Sequence, residues 1–469
     1  MKITAIGHAA LLIEAAGVTI LTDPWWRGPC FGAQWWNYPP PNVSSVEGRR
    51  IDYIYVSHGH HDHLHPGTLR TLNSSGKVLV SRQLDIAPSV RELGFEVIEI
   101  GDNDALPLGS GVTCRVMGTH GDDTLMAIDD GQEVCINLND ALHSAPRNVQ
   151  TKFVTLLKEL YPRIDYVFCG YGVASHFPNC YDIPGKNREA TASRRQRHFN
   201  RSWAHLIAAL DPRFGFPFAA DVVFLEDDLF WVNEPTHNSE RPTQTFAALY
   251  PKSRVRTLDI APGFSIDSGV VMTMALRQPI LAGTLRSACG ESIERANRQG
   301  SVSEGDVLEL VELMRRNLKL CEAYLRGYEH DYRFLIVFRN SQLGIRIDKA
   351  GGSIDIAAVE NGAKSKQDFD IVYRTRLPYL KWSYSKPYGE EILFVGSGGI
   401  FEYRDQVQAG RNLHRELKVL LTRQTSTVPA RGDGGSGLLH WVKRTVKRAI
   451  GRDEQDLYDL GAWTVFGEP

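Results

Sequence analysis

The 469-residue sequence predicts an α/β protein, an αββα sandwich with an appended α+β domain. Two patterns carry that prediction. Short β-branched and aromatic runs alternate with helix-length stretches up to residue 240, and after one long helical stripe strands take over. The composition agrees: 42% hydrophobic and 23% charged residues are enough to build large cores.

In chain order, Lys2–Ile6, Ala10–Glu14, Val18–Thr22 and Ile51–Val56 read as strands, the last buried. Helices are expected near Pro66–Leu72 and Gln83–Leu93, with strands at Lys77–Val80, Glu96–Ile100, Val112–Met117 and Val134–Ile136. Gln150–Leu160 reads as helix, Ile164–Cys169 as a buried strand, Asn200–Leu210 as helix and Gly215–Phe218 as strand. Ser303–Gly327 places Val307, Leu310, Val311, Met314, Leu318, Cys321 and Leu325 on one helical face, opened by Ser303 and Glu304. Strands are then expected at Tyr332–Phe338, Leu343–Asp348, Ser353–Val359, Phe369–Tyr373 and Glu391–Val395, with Gly396–Gly399 as a hairpin turn. These elements divide into domains at 1–262 and 263–424, then a linker and tail at 425–469. The tail places Leu438, Leu439, Val442, Val446, Ala449 and Ile450 opposite Lys443, Arg444, Lys447 and Arg448, a face for an anionic membrane surface, a partner helix or its own protein.

Lys+Arg 53 against Asp+Glu 55 leaves a formal charge of −2, so no global basic field for nucleic acid exists. No apolar run approaches the roughly 18 residues of a membrane span, and the opening MKITAIGHAALLIEAAG does not read as a signal peptide. Seven cysteines without a C-x-x-C pair read as reduced thiols. A cytoplasmic protein is expected.

The chemistry concentrates in Ser57-His58-Gly59-His60-His61-Asp62-His63-Leu64-His65, directly after a buried strand. Imidazole nitrogen with carboxylate oxygen suits zinc, iron or manganese better than calcium or magnesium. The spacing lets His58 and His60 serve one ion while Asp62 and His63 serve another, and two such ions hold a bridging hydroxide near neutral pH. Trp25, Trp26, Trp35, Trp36 and Tyr38 form an aromatic loop suited to a substrate wall or a structural lid, with Trp35 and Trp36 the substrate-binding candidates. Lys186, Arg188, Arg194, Arg195, Arg197 and Arg201 form a basic stretch, either a clamp for one anionic group or a solvated face.

The histidine cluster resembles the metallo-β-lactamase superfamily. The opening I-G-H-A-A-L-L-I-E and Leu21–Trp25 (L-T-D-P-W) are similar to its branch containing N-acylphosphatidylethanolamine phospholipase D and ascorbate-phosphate lactonase. Residues 28–36 and Asn137-Leu138-Asn139-Asp140 resemble the metal domain of CMP-N-acetylneuraminic acid hydroxylase, and the second half is similar to a sterol-carrier domain. The resemblance implies His58, His60 and His120 on the first ion, Asp62 and His63 on the second, and Asp140 bridging both.

Two departures follow. The family's last histidine is missing where the chain reads Phe216-Pro217-Phe218-Ala219-Ala220-Asp221, leaving Asp221, His237 or His176 as substitutes, His176 also as a substrate contact. The hydroxylase resemblance implies a Rieske cluster, yet no cysteine here has a histidine two or three residues on. The expectation is a dinuclear enzyme carrying two divalent ions (zinc or iron, with manganese suited to the same donors). It hydrolyses an ester, amide or phosphodiester of a small, anionic molecule, with Asp62 or Asp140 orienting the nucleophile. The alternative is an O₂-dependent diiron oxygenase fed by a separate reductase or by its substrate. A carrier or scaffold role, and a homo-oligomer, are the remaining expectations.

Overall fold

The computed structural model describes residues 1–428 except 73–75, 120, 121, 173, 174, 221, 238, 239, 299, 329, 361–367, 386–388 and 411–413. The candidates His120 and Asp221, nearly all of the expected linker and the whole amphipathic tail face therefore lie outside the described residues. The chain divides into two compact units. The first takes residues 1–173, 195–225 and 230–289; the second takes 174–194, 226–229 and 290 onward.

Two sheets face each other in the first unit. One runs in the order Val270–Thr273, Ser265–Asp267, Lys2–Gly7, Ala10–Ala15, Val18–Thr22, Tyr53–Tyr55, Lys77–Ser81 and Val97–Ile100. The other runs Arg256–Thr257, Phe214–Phe218, Tyr166–Gly170, Val134–Asn139, Thr124–Asp129, Val112–Gly118 and Ala105–Gly109. Alternation sends one face of each strand inward. Ile3, Leu11, Ile20, Tyr55 and Leu79 from the first sheet thus join Val116, Met126, Ile128, Phe168 and Phe216 from the second in one buried core. The outer faces are covered in turn. Ile54, Val56, Val78 and Val80 pack with Leu69, Ala87 and Val90 of the helices Pro66–Leu69 and Ala87–Glu92. Ile136, Leu138 and Val167 pack with Phe153, Leu157, Trp203 and Ile207 of the helices Arg147–Leu160 and Arg188–Leu210. This is the expected αββα layering.

The first unit extends past the expected boundary at 262, because Ser265–Asp267 pairs antiparallel with Lys2–Thr4 and extends the first sheet. The strands Ala105–Gly109 and Thr124–Asp129 were not anticipated. The first contains Pro107 and sits at a sheet edge, where a missing N–H is tolerated.

The second unit is α+β. Its six-stranded sheet runs Tyr181–Asp182, Gly399–Tyr403, Ile371–Thr375, Tyr332–Phe338, Leu343–Ala350 and Ser353–Glu360. The helix Glu304–Arg326 is capped by Ser303, whose hydroxyl accepts the Asp306 N–H at 3.1 Å, and it buries all seven stripe residues. The expected strand Glu391–Val395 is instead a helix, Glu391–Phe394. Gly396–Gly398 accordingly joins that helix to the strand Gly399–Tyr403 and is not a hairpin turn. A four-residue apolar run fits either element, and only its packing decides.

Candidate metal centre

Strand Tyr53–Tyr55 runs parallel between Val18–Thr22 and Lys77–Ser81, so its C-terminal end opens at the rim of the first sheet. Three contacts pin the chain there. The Ser57 N–H donates to Asp23 Oδ1 at 2.8 Å, the Thr124 hydroxyl donates to the Ser57 carbonyl at 2.5 Å, and Tyr55 Oη lies 2.7 Å from Thr124 Oγ1. The histidine loop thus leaves a fixed point. In the facing sheet, Val134–Asn139 ends in Asn139, held at φ +50°, and delivers Asp140 to the same rim.

The structure brings His58, His60, Asp62, His63 and Asp140 together. His58 Nε2 lies 2.8 Å from His60 Nδ1, and the His58 and His63 rings are 4.1 Å apart. His63 Nε2 sits 3.1 Å from Asp62 Oδ2 and 3.4 Å from Asp140 Oδ2. Burial, reinforced by positive charge at His63, keeps His58 well below its usual pKa, and burial lowers His60, so both offer neutral lone pairs. Asp62 is also buried, but His63 and His8 outweigh that and hold its carboxyl well below the usual range. His63 goes the other way. Despite its burial, Asp62, Asp140 and Asp23 raise it well above its usual value.

Two further residues complete the cluster, and neither was singled out from the sequence. Asp23, within L-T-D-P-W, is fully buried. Its Oδ2 accepts from the Asn139 amide and lies 3.3 Å from His63 Nδ1. A carboxylate behind an imidazole fixes which ring nitrogen faces a metal. His8, within I-G-H-A-A, places Nε2 2.9 Å from Asp62 Oδ2. Asp123 Oδ1 lies 3.8 Å from His58 Nε2, and burial, with Asp140 nearby, pushes its carboxyl up to about 7.

The donor set fits a metal. Two groups of three side chains converge, His58/His63/Asp140 and His8/Asp62/His63, the ligand atoms in each within 4.8 Å of one another. His8 Nδ1, Asp62 Oδ1 and Asp140 Oδ1 are buried without a hydrogen-bond partner, a cost that coordination removes. Imidazoles mixed with carboxylates suit zinc, iron or manganese.

Other candidates land elsewhere. His237 is buried with Nε2 donating to the Val222 carbonyl at 2.6 Å, so that nitrogen is committed to the backbone. His176 belongs to the second unit, where it packs against Tyr181 and the edge of Phe394. Trp35 and Trp36 are buried in a two-stranded ribbon, Trp35–Asn37 against Val222–Phe224. Trp35 packs edge-on against Phe31 and Phe224, and the Trp36 indole donates to the Ala33 carbonyl. They stiffen the loop instead of presenting a free aromatic wall. A third converging trio, Cys30, His61 and His65, latches that loop to the histidine loop. The Cys30 thiol donates to the His61 carbonyl at 3.1 Å, Phe31 N–H to His61 Nδ1 at 3.2 Å, and Thr68 N–H to His65 Nδ1 at 3.0 Å.

Residues 2–154 match the family model of the beta-lactamase superfamily domain. The chain is 27% identical over 308 residues to a putative Rieske 2Fe-2S iron-sulfur protein of Mycobacterium tuberculosis, covering 61% of this chain and 55% of that one. It is 25% identical over 291 residues to the cytidine monophosphate-N-acetylneuraminic acid hydroxylase of Macaca mulatta, covering 57% and 46%. The chain thus spans about half the length of the curated relatives it matches. Among solved structures, a CmlA beta-hydroxylase mutant aligns with TM-score 0.38 and 18% identity over 56% of this chain and 53% of that one. An isothiocyanate hydrolase from Delia radicum gut bacteria aligns with TM-score 0.38 and 13% identity over 58% and 100%.

Proposed function

With residues 2–154 a beta-lactamase superfamily domain, we propose that the first unit is a dinuclear metal-dependent hydrolase acting on an ester, amide or phosphodiester of a small molecule. The observation that carries this reading is the convergence of buried, partly unpartnered donors at one rim of the sandwich. His58 and His60 would hold one divalent ion, Asp62 and His63 the other, with Asp140 between them. Ions in such a site supply Lewis acidity toward a carbonyl or phosphoryl oxygen and bring the pKa of water toward neutrality. The remaining work falls to the chain. Asp62 and Asp140 would aim an attacking water, accept one proton from it and pass that proton to the leaving group. Asp23 keeps His63 in one ring orientation. Hydrolysis needs nothing beyond these groups and water.

A second reading, an O₂-dependent diiron oxygenase, is favoured by the hydroxylase and Rieske names of the relatives and by the carboxylate-rich donor set. Within these 469 residues no cysteine–histidine pair has Rieske spacing, so electrons for that reaction would come from outside these residues or from the substrate.

Anaerobic purification without added metal, followed by metal analysis and assay, decides between the two. Two zincs per chain with turnover of model esters or phosphodiesters supports hydrolysis. Two irons with a visible band that changes on exposure to O₂ overturns it in favour of the oxygenase.

A further inference from the structure

We propose that His8 is a ligand of the second ion, closing a coordination shell that Asp62, His63 and Asp140 leave open. The inference rests on the dinuclear reading above and adds one donor to it. Among the described residues three protein donors would reach that ion; His8 would be a fourth, with a fifth position left for water.

His8 sits in the tight connection between the strands Lys2–Gly7 and Ala10–Ala15, and its ring geometry, its unpartnered nitrogen and its backbone bear on its role. Its ring is buried within the His8/Asp62/His63 group, with Nε2 2.9 Å from Asp62 Oδ2 and the ring centroid 5.5 Å from that of His63. Its Nδ1 is buried with no hydrogen-bond partner, so the fold leaves the ring proton free to sit there and Nε2, beside Asp62 and His63, free to offer a lone pair. Its backbone is held at φ +39°, a left-handed conformation that a non-glycine residue adopts at a cost of about 1–3 kcal/mol. Nothing in a tight turn between two strands demands a histidine there, since asparagine or glycine meets that backbone better.

The surroundings show what holds the strain. The His8 carbonyl accepts the Ala219 N–H at 3.3 Å, just past the end of strand Phe214–Phe218, and Ala219 is itself left-handed at φ +52°. The two turns abut across the rim. The Ala219 and Ala220 side chains end at Cβ and carry no donor, and the imidazole of His8 approaches the same rim from the facing sheet. Trp25 packs edge-on against the His8 ring at 5.2 Å, fixing its plane.

The rival role is positioning alone, with Nε2–H orienting Asp62 and no bond to the ion. Zinc titration of the stripped full chain by chelator competition, with metal analysis, separates the two. His8→Gln carries an N–H able to donate to Asp62 but has no imidazole lone pair. His8→Gly suits the left-handed backbone and opens a cavity for added imidazole. The expected result is two zincs in the wild type and one in His8→Gln, the second site weakened more than about 100-fold. Retention of the first zinc reports an intact fold. In His8→Gly, millimolar imidazole should restore the second zinc. Two zincs in His8→Gln, bound within threefold of the wild type, would leave His8 a positioning residue and overturn the proposal alone. Loss of zinc in both variants with no recovery on imidazole also overturns it. A wild type that binds fewer than two zincs overturns this inference and the dinuclear reading together.

Discussion

Replacing Asp23 by asparagine tests whether the carboxylate behind His63 belongs to the metal centre or only to the fold. Asp23 is buried and accepts from three donors: the Ser57 N–H, the Asn139 amide, and His63 Nδ1 at 3.3 Å. In Asp23→Asn one oxygen becomes an NH₂. If the remaining oxygen stays on Ser57, the new NH₂ faces two donors. Rotating the Asn139 amide relieves one clash but withdraws its NH₂ from Ser57 Oγ, now at 2.7 Å. One buried donor is therefore left without an acceptor on balance, costing about 1–3 kcal/mol of stability in the metal-free protein. The metal term is separate. Without an anionic acceptor His63 loses both orientation and basicity, and second-ion affinity should fall about 10–100-fold, or about 1.4–2.7 kcal/mol. Zinc competition against a chromophoric chelator reads the second quantity, and thermal melts of stripped protein read the first. A variant that melts lower yet binds zinc within threefold of the wild type would show Asp23 to be purely structural.

Three further outcomes follow from the same structure. His60→Ala should abolish binding of the first ion with little loss of fold; full zinc content and activity in that variant would move the site elsewhere. His237 titrates at about 4 because burial disfavours its charged form, the Val222 hydrogen bond offsetting only part of that. The unfolded chain, with an ordinary value near 6.5, then binds the extra proton between the two values, so this contribution is complete above pH 6.5 and lost as pH falls toward 4. That is about 3 kcal/mol, and His237→Gln, which keeps a donor for Val222, should flatten this limb of the acid-stability curve; an unchanged slope refutes it. In the second unit Lys349 and Glu416 form a buried pair at 3.0 Å, and Lys349 also donates to the Leu325 and Tyr328 carbonyls. Glu416→Ala should cost about 3–5 kcal/mol in denaturant unfolding, and Lys349→Met with Glu416→Leu should recover part of it. Equal losses in the single and double variants would remove the charge argument.

What the sequence made legible was local. His58, His60, Asp62 and His63 lie within six residues after an apolar run, so their convergence needs only a strand end and a loop. The helix Glu304–Arg326 was equally plain, because its cap and its stripe repeat within one segment. Asp140 was reachable only through resemblance, since it enters from the facing sheet. Where several weak signals competed, the sequence could not choose among them. His237 stands close in sequence to the gap it was asked to fill; its Nε2 is committed to Val222 and its Nδ1 is buried without a partner, a ring direction that proximity along the chain could not give.

His8 and Asp23 show why a motif and a role are different things. Both were in view, inside I-G-H-A-A and L-T-D-P-W, and neither segment contains anything that marks a ligand. His8 reads as a turn residue until the sandwich closes and sets its ring 2.9 Å from a carboxylate 54 positions away. Asp23 reads as the start of a loop until Asn139, 116 positions on, donates to it. What does carry over is a conflict between local preference and residue type. A bulky imidazole at φ +39°, where glycine or asparagine is the easier choice, is a local rule broken, and such breaks persist where the surroundings over-determine them. Strain of that kind is invisible in sequence but plain in a backbone. At His8 it coincides with an unpartnered ring nitrogen beside Asp62 and His63, and that coincidence is the reason to look there for a further donor.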